Sequence, residues 1–264
     1  MSASADPLST AVDALRAAGC VFAEEEAGLL LDAARTPVEL ADLVRRRAAG
    51  LPLEVLLGWA EFCGLRVAVD PGVFVPRRRT AFLVQQALAR ARPGAVVLDL
   101  CCGTGALGMA IAASLGRLEL HASDLDPAAV ACARRNLAPI GGQVYAGDLY
   151  QPLPATLRGR VEVLVANAPY VPTDAIALMP AEARDHEPRL ALDGGPDGLG
   201  VQRRVAAGAR RWLAPGGRLL IETGPGQAAQ TAEALLEAGL DTRITHSPRL
   251  GCTVVVGELP ASLR

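Results

Sequence analysis

Between residues 95 and 259, short apolar runs of strand length alternate with segments of helical period, and this rhythm constrains the fold more than any other feature. Strands are expected at 95–100 (AVVLDL), 118–124 (LELHASD), 143–148 (QVYAGD), 161–167 (VEVLVAN), 217–223 (GRLLIET), 241–247 (DTRITHS) and 252–259 (CTVVVGEL). Helices fall between most of them, at 105–115, 127–137, 198–213 and 226–239. Such alternation implies an α/β fold, a parallel sheet covered by helices on both faces. The last two strands have no helix between them, so the final one must pair antiparallel. In sheets of this kind ligands bind beyond the carboxyl ends of the strands.

The first part of the chain follows another rule. Residues 8–48 contain no strand candidate, and apolar residues recur there at helical spacing. "TPVELADLVRRRAAG" supplies a Thr cap and a Pro in the first helical turn. A small helical bundle is therefore expected, followed by a hairpin over residues 62–76 turning at Pro71-Gly72. The expected division is a helical domain over 1–60, a hairpin hinge over 61–80 and the α/β domain over 81–264.

With 51% hydrophobic residues but only 3% aromatic ones, the core must be built mainly of Ala, Val and Leu. All 26 basic residues are arginines, and the net charge of −2 gives no global attraction to nucleic acid. Six cysteines without a C-x-x-C pair, and only three histidines, argue against a zinc site. No signal peptide or apolar stretch of membrane length is present. The chain reads as a cytoplasmic monomer with reduced thiols, no membrane association and no stable nucleic-acid complex.

"VVLDLCCGTGALGMAIAASL" is a strand, a turn and a helix, with Gly103 and Gly105 letting the backbone approach a ligand at a helix start. Asp124, followed by Leu125, ends the next strand about 20 residues on, the spacing of a carboxylate that binds ribose hydroxyls. With Asp99 and Asp148, three acids are expected at the carboxyl edge of successive strands. A dinucleotide fold wants G-x-G-x-x-G for its pyrophosphate, whereas here an acid leads D-x-C-x-G-x-G. That pattern suits a ligand carrying an ammonium or sulfonium group and no phosphate, which favours S-adenosylmethionine.

The fourth strand of this series runs into Asn167, Ala168, Pro169 and Tyr170. Methyl transfer to an amide or exocyclic amine needs a nitrogen lone pair aimed at the donor, and in a planar amide that pair is delocalised. The Asn167 side-chain oxygen and the Ala168 carbonyl can accept both N–H groups, Pro169 fixes the turn, and Tyr170 can pack on the planar group. The contribution is positioning and electrostatics.

These stretches together resemble the N(5)-glutamine methyltransferases of peptide chain release factors, the HemK/PrmC family, whose signature is N-P-P-Y. The resemblance extends over nearly the whole chain: residues 50–80 resemble the family's hinge and its Pro-Arg-Pro-Glu-Thr-Glu segment. "VVLDLCCGTGALG" and "ASDLD" resemble its cofactor motifs, "EPRLALDGGPDGLG" the region after the catalytic loop, and "LAPGGRLLIETGPGQ" its fifth strand. It implies a Rossmann-like, seven-stranded, class I S-adenosylmethionine-dependent methyltransferase domain and a helical N-terminal domain that recognises substrate. The implied substrate is the glutamine of a Gly-Gly-Gln tripeptide in a release factor. By position, Cys101, Cys102, Gly103, Thr104 and Gly105, with Asp124 and Leu149, would line the cofactor pocket, and Asn167 through Tyr170 would hold the glutamine.

The departures are specific. Cys101 replaces a glycine of the cofactor turn, which is harmless if its backbone angles are ordinary. Arg79 and Ala81 replace acids of the family segment, and Ala168 replaces a proline, which should loosen the loop. The runs Arg45–Arg47 and Arg77–Arg79 read as solvated faces, with contact to RNA or an acidic partner as the sharper alternative. His186 and Glu187 read as structural, and the Gly-Gly-Gln at 141–143 as a turn. Two rivals remain: N-methylation of a nucleic-acid base, and cofactor binding without catalysis.

Overall fold

The computed structural model describes residues 6–261. Helices α1 (Pro7–Ala17), α2 (Ala23–Ala33), α3 (Pro37–Ala48) and the single-turn α4 (Leu53–Leu57) form the N-terminal bundle. Capping starts α3 where its sequence dictates. The Thr36 hydroxyl accepts from the Glu39 N–H at 3.1 Å, and Glu39 Oε2 accepts from the Arg35 N–H at 2.8 Å. Leu15, Leu30, Leu40, Leu43 and Val44 close a core within the bundle, against which Leu53, Leu56 and Leu57 of α4 pack.

The hairpin lies earlier than its expected position. Strands β1 (Trp59–Phe62) and β2 (Leu65–Ala68) pair antiparallel, with Phe62 opposite Leu65, so Cys63 and Gly64 form the two-residue turn. Both have positive φ, 52° and 76°, the geometry that matches the twist of a tight hairpin. Pro71-Gly72 makes a separate turn, closed by the Val73 N–H on the Asp70 carbonyl, and no strand follows it.

The rest of the chain is α5 (Ala81–Leu88), β3 (Val96–Leu100), α6 (Ala106–Leu115), β4 (Glu119–Asp124), α7 (Pro127–Leu137), β5 (Gln143–Ala146) and β6 (Val161–Ala166). Short helices α8 (Ala181–His186) and α9 (Arg189–Leu192) follow, then α10 (Gly200–Ala209), β7 (Leu213–Thr223), α11 (Ala228–Glu237), β8 (Asp241–Ser247) and β9 (Cys252–Glu258). The seven-stranded sheet runs in the order β5-β4-β3-β6-β7-β9-β8. Its first five strands are mutually parallel, and β9 pairs antiparallel with both β7 and β8, as the missing helix requires. With helices on both faces this is the Rossmann-like class I methyltransferase architecture.

Strand alternation divides the core. Val97, Leu120, Ala122, Val163 and Leu220 face α5, α6 and α7, whereas Val96, Leu98, Leu100, Leu164 and Ile221 face α10 and α11. The chain reverses its direction of travel across the sheet after β5, so β3 is flanked by β4 and β6. That topological switch opens a crevice at their carboxyl ends. No helix of the described residues is long and apolar enough to cross a membrane.

Candidate active site

A cleft lies at the switch point. Among its lining residues are Cys101, Cys102, Gly103 and Thr104 after β3, Asp124 and Leu125 after β4, Asp148 and Leu149 after β5, and Asn167 and Pro169 after β6. Register explains why they converge: Leu100 is level with Ser123 of β4 and with Ala166 of β6, so the next residue of each strand opens onto one edge.

The cofactor turn is held from three sides. The Cys102 N–H donates to the Ser123 carbonyl, the Gly103 N–H to Asp124 Oδ2 at 2.8 Å, and the Gly105 N–H to the Cys102 carbonyl at 2.7 Å. Asp124 Oδ1 also accepts the Asp126 N–H, at 2.9 Å. Burial raises the Asp124 carboxyl above its usual range, and the Asp126 and Gly103 N–H groups pull the other way. Gly103 and Gly105 both have positive φ for different reasons. Nothing lies within 4 Å of a Cβ placed on Gly103, whereas one on Gly105 would sit 3.0 Å from Leu137 of α7. The first glycine therefore leaves room for a ligand, and the second lets α6 start against α7.

Asp99 does not line the cleft. It is one residue short of the strand end, on the same side of β3 as Val97, and its side chain enters the layer beneath α6. Fully buried there, Oδ2 accepts the Gly108 N–H at 3.0 Å and Oδ1 has no partner among the described residues. Burial pushes its carboxyl up to about 8. Asp148 does reach the cleft, where it forms an ion pair with Arg204 of α10.

Cys101 departs from its expected backbone, with φ at 54° in the left-handed region that its glycine counterpart adopts freely. Leu149 is also left-handed, at 49°, and Ser123 Oγ fixes it by donating to its carbonyl at 2.8 Å. Burial drives the thiols of Cys101 and Cys102 far above their ordinary range, leaving neutral packing groups.

Asn167, at the end of β6, borders the cleft with a carboxamide that makes no hydrogen bond among the described residues. Ala168 is buried at 1% exposure. The loop beyond is pinned from several elements. Gln227 Nε2 donates to the Tyr170 carbonyl and to the Asp197 carbonyl, both at 3.0 Å. Val171 exchanges backbone bonds with Leu192 and Gly194, and a Cβ on Gly198 would lie 2.4 Å from the Tyr170 carbonyl oxygen. The Tyr170 hydroxyl accepts from Arg79 Nη2 at 2.7 Å and faces Glu222 Oε1 at 3.4 Å.

Three of the arginines read as solvated are instead ion-pair partners of distant acids. Arg47 grips Glu26 of α2 with Nε at 2.6 Å and reaches Glu182 of α8 at 3.1 Å. Arg77 pairs with buried Glu187, which also accepts the Val75 N–H, so Glu187 ties residues 75–77 to the segment between α8 and α9. Arg79 pairs with buried Glu222. Sequence reasoning also missed Gln227 and Asn136. The Asn136 Nδ2 donates to the carbonyls of Thr104 and Ala68, and its Oδ1 accepts the Ala68 N–H, joining hairpin to cofactor turn. An isolated polar residue on a helix gives no sign of such partners.

The cleft chemistry discriminates between ligands. Its arginines, Arg77 and Arg204, are both neutralised by carboxylates, so among the described residues no free cation lines the cleft for a pyrophosphate. A strand-end carboxylate, the open space over Gly103 and apolar walls from Leu125 and Leu149 suit a nucleoside carrying a sulfonium.

Comparison with known proteins agrees with this geometry. Residues 64–183 match the "Methyltransferase small domain" family. The release factor glutamine methyltransferase of Geobacter sulfurreducens is 39% identical over 84% of this chain and 78% of its own. A 4-amino-L-phenylalanine/4-methylamino-L-phenylalanine methyltransferase of Streptomyces pristinaespiralis is 36% identical over 81% of this chain and 75% of its own. Among solved structures, a methyltransferase of Pyrococcus furiosus superposes with a TM-score of 0.56 at 16% identity, covering 75% of this chain and 90% of its own, a likeness of fold. With a strand-end asparagine bordering the cleft, and with identity of this extent, the chain belongs to the release factor glutamine methyltransferase family.

Proposed function

We propose that this protein transfers a methyl group from S-adenosylmethionine to the side-chain amide nitrogen of a protein glutamine, the Gly-Gly-Gln glutamine of a peptide chain release factor. The observation that carries this reading is the unpartnered Asn167 carboxamide, level with the cofactor turn and bordering the same cleft. The bound cofactor supplies a methyl group activated on a sulfonium. Asp124, the Cys101–Thr104 backbone and the side chains of Leu125 and Leu149 bind and orient it. Asn167 Oδ1 and the Ala168 carbonyl accept the two N–H groups of the incoming amide and fix its nitrogen. Pro169 sets the direction of that carbonyl. Tyr170 covers the planar group and excludes water. A nitrogen that has gained a fourth substituent is strongly acidic, so its proton leaves to solvent without a strong base. The N-terminal part of the chain, residues 1–60, is the part assigned to gripping the substrate protein, with 61–80 as the hinge.

The test is incubation with labelled S-adenosylmethionine and three acceptors: purified release factor, RNA and 4-amino-L-phenylalanine. Mass spectrometry should place one added methyl on the Gly-Gly-Gln glutamine. Label in RNA or in the free amine, with none on the protein, would overturn the proposal.

A further inference from the structure

Arg79 stands where the family segment that residues 76–81 resemble has an acid, and the structure gives it a partner on each side. Its Nε lies 3.2 Å from Glu222 Oε1, and its Nη2 donates to the Tyr170 hydroxyl at 2.7 Å. Glu222 is 2% exposed in its side chain, its Oε2 has no hydrogen-bond partner, and Arg79 is its one ion-pair partner among the described residues. The register Ala166 to Ile221 makes Glu222 the residue of β7 level with Asn167. Glu222 is therefore a fixed post on the sheet, beside the residue assigned to hold the amide. A planar guanidinium bridging a carboxylate and a phenol restrains both, because its donors are rigidly disposed.

We propose that Arg79 is a positioning residue for methyl transfer: through Glu222 it fixes the Tyr170 ring as one wall of the acceptor site. This rests on the glutamine-amide reading of Asn167 to Tyr170. The end of the hinge thereby meets the Asn167–Tyr170 loop at the acceptor, so the segment before α5 tunes the reaction without touching substrate. Tyr170 is also held by its carbonyl, through Gln227, so the backbone is set from one side and the ring from the other.

The test is a double-mutant cycle on R79M and Y170F, with R79K as the conservative variant. Y170F keeps the Arg79–Glu222 pair and should fold like the wild type. Its kcat should fall about 10- to 100-fold, the loss expected for a misplaced group, with cofactor Kd and Tm unchanged. R79M should lose kcat by a similar factor and the double variant no more than either single one, because the two act as a unit. R79K, which returns a cation between Glu222 and Tyr170, should recover most of the loss. Wild-type kcat in Y170F, additive losses, or an R79M defect confined to Tm would overturn the proposal. A second readout does not depend on turnover. With the three tyrosines labelled as 3-fluorotyrosine and the Tyr170 signal assigned through Y170F, that resonance should shift and broaden in R79M. An unmoved resonance defeats the positioning claim. A shift in a protein inactive on glutamine would leave that claim standing and defeat the proposed function instead.

Discussion

Replacing Asp99 with Asn should make the protein's stability less sensitive to rising pH between about 4 and 8 while leaving cofactor binding intact. The carboxyl is fully buried beneath α6, with one oxygen on the Gly108 N–H and the other unpartnered. Burial lifts it from 3.8 to about 8, so between those values the folded chain holds a proton that the unfolded chain has released. Stability must then fall as pH rises through that window, by about 1.4 kcal/mol per pH unit. From pH 5 to pH 7 the cost is about 2.7 kcal/mol, or roughly 5–10 °C in Tm for a chain of this size. Asn presents the same carbonyl oxygen to Gly108 and does not titrate. The Tm difference between D99N and wild type should therefore grow in favour of D99N across that range, measured by calorimetry at matched ionic strength. Because Asp99 does not line the cleft, the Kd for S-adenosylmethionine should stay within about threefold, under 1 kcal/mol. A Tm difference that is flat with pH would refute the buried neutral carboxyl. A hundredfold loss of cofactor affinity would restore Asp99 as a ligand.

Asn167→Ala should lower kcat by at least about 100-fold, as loss of one preorganised polar group does, with cofactor Kd within about tenfold. Wild-type turnover in a radiolabel assay would remove Asn167 from the mechanism. Gly198→Ala forces a Cβ to 2.4 Å from the Tyr170 carbonyl and from Gln227 Nε2, at a φ of 75°. It should cost about 2 kcal/mol or more by urea unfolding and lower kcat; a variant as stable and active as wild type would show that the loop gives way freely. At Cys101, with φ at 54°, the Gly variant should be more stable than the Ala variant by about 1 kcal/mol. The reverse order in urea titrations would place residue 101 outside the left-handed region.

The sheet was legible because its signal is local: apolar runs of strand length, separated by helical periods, needed no distant partner. The antiparallel closing strand followed from a helix that is missing. What the sequence hid was nonlocal or depended on parity. Pro71-Gly72 looks like the stronger turn signal, but Cys63-Gly64 sits between residues that can pair, and Phe62 opposite Leu65 decides the register. Asp99 shares its motif with Cys101 and Gly103, but stands one residue before the strand end and so faces α6. The arginine runs carry charge without naming its partner. Arg47, Arg77 and Arg79 find acids at Glu182, Glu187 and Glu222, each more than 100 positions along the chain.

Ala168 shows how such partners change the meaning of a departure. Where the family has a second proline, a looser loop is the expectation from sequence, since proline restricts the unfolded chain and the folded turn alike. In the structure the loop is tethered on both flanks. Ala166 is locked into β6, Ala168 is buried, the Tyr170 carbonyl and hydroxyl are held by Gln227 and Arg79, and Val171 is bonded to Leu192 and Gly194. A segment fixed by four elements gains little further order from one ring. The carbonyl at Ala168 that the proposal assigns to the amide survives the substitution, because it belongs to the backbone. The departure that makes a direct side-chain contact at this loop is Arg79, a cation against the Tyr170 hydroxyl where the segment it resembles has an acid.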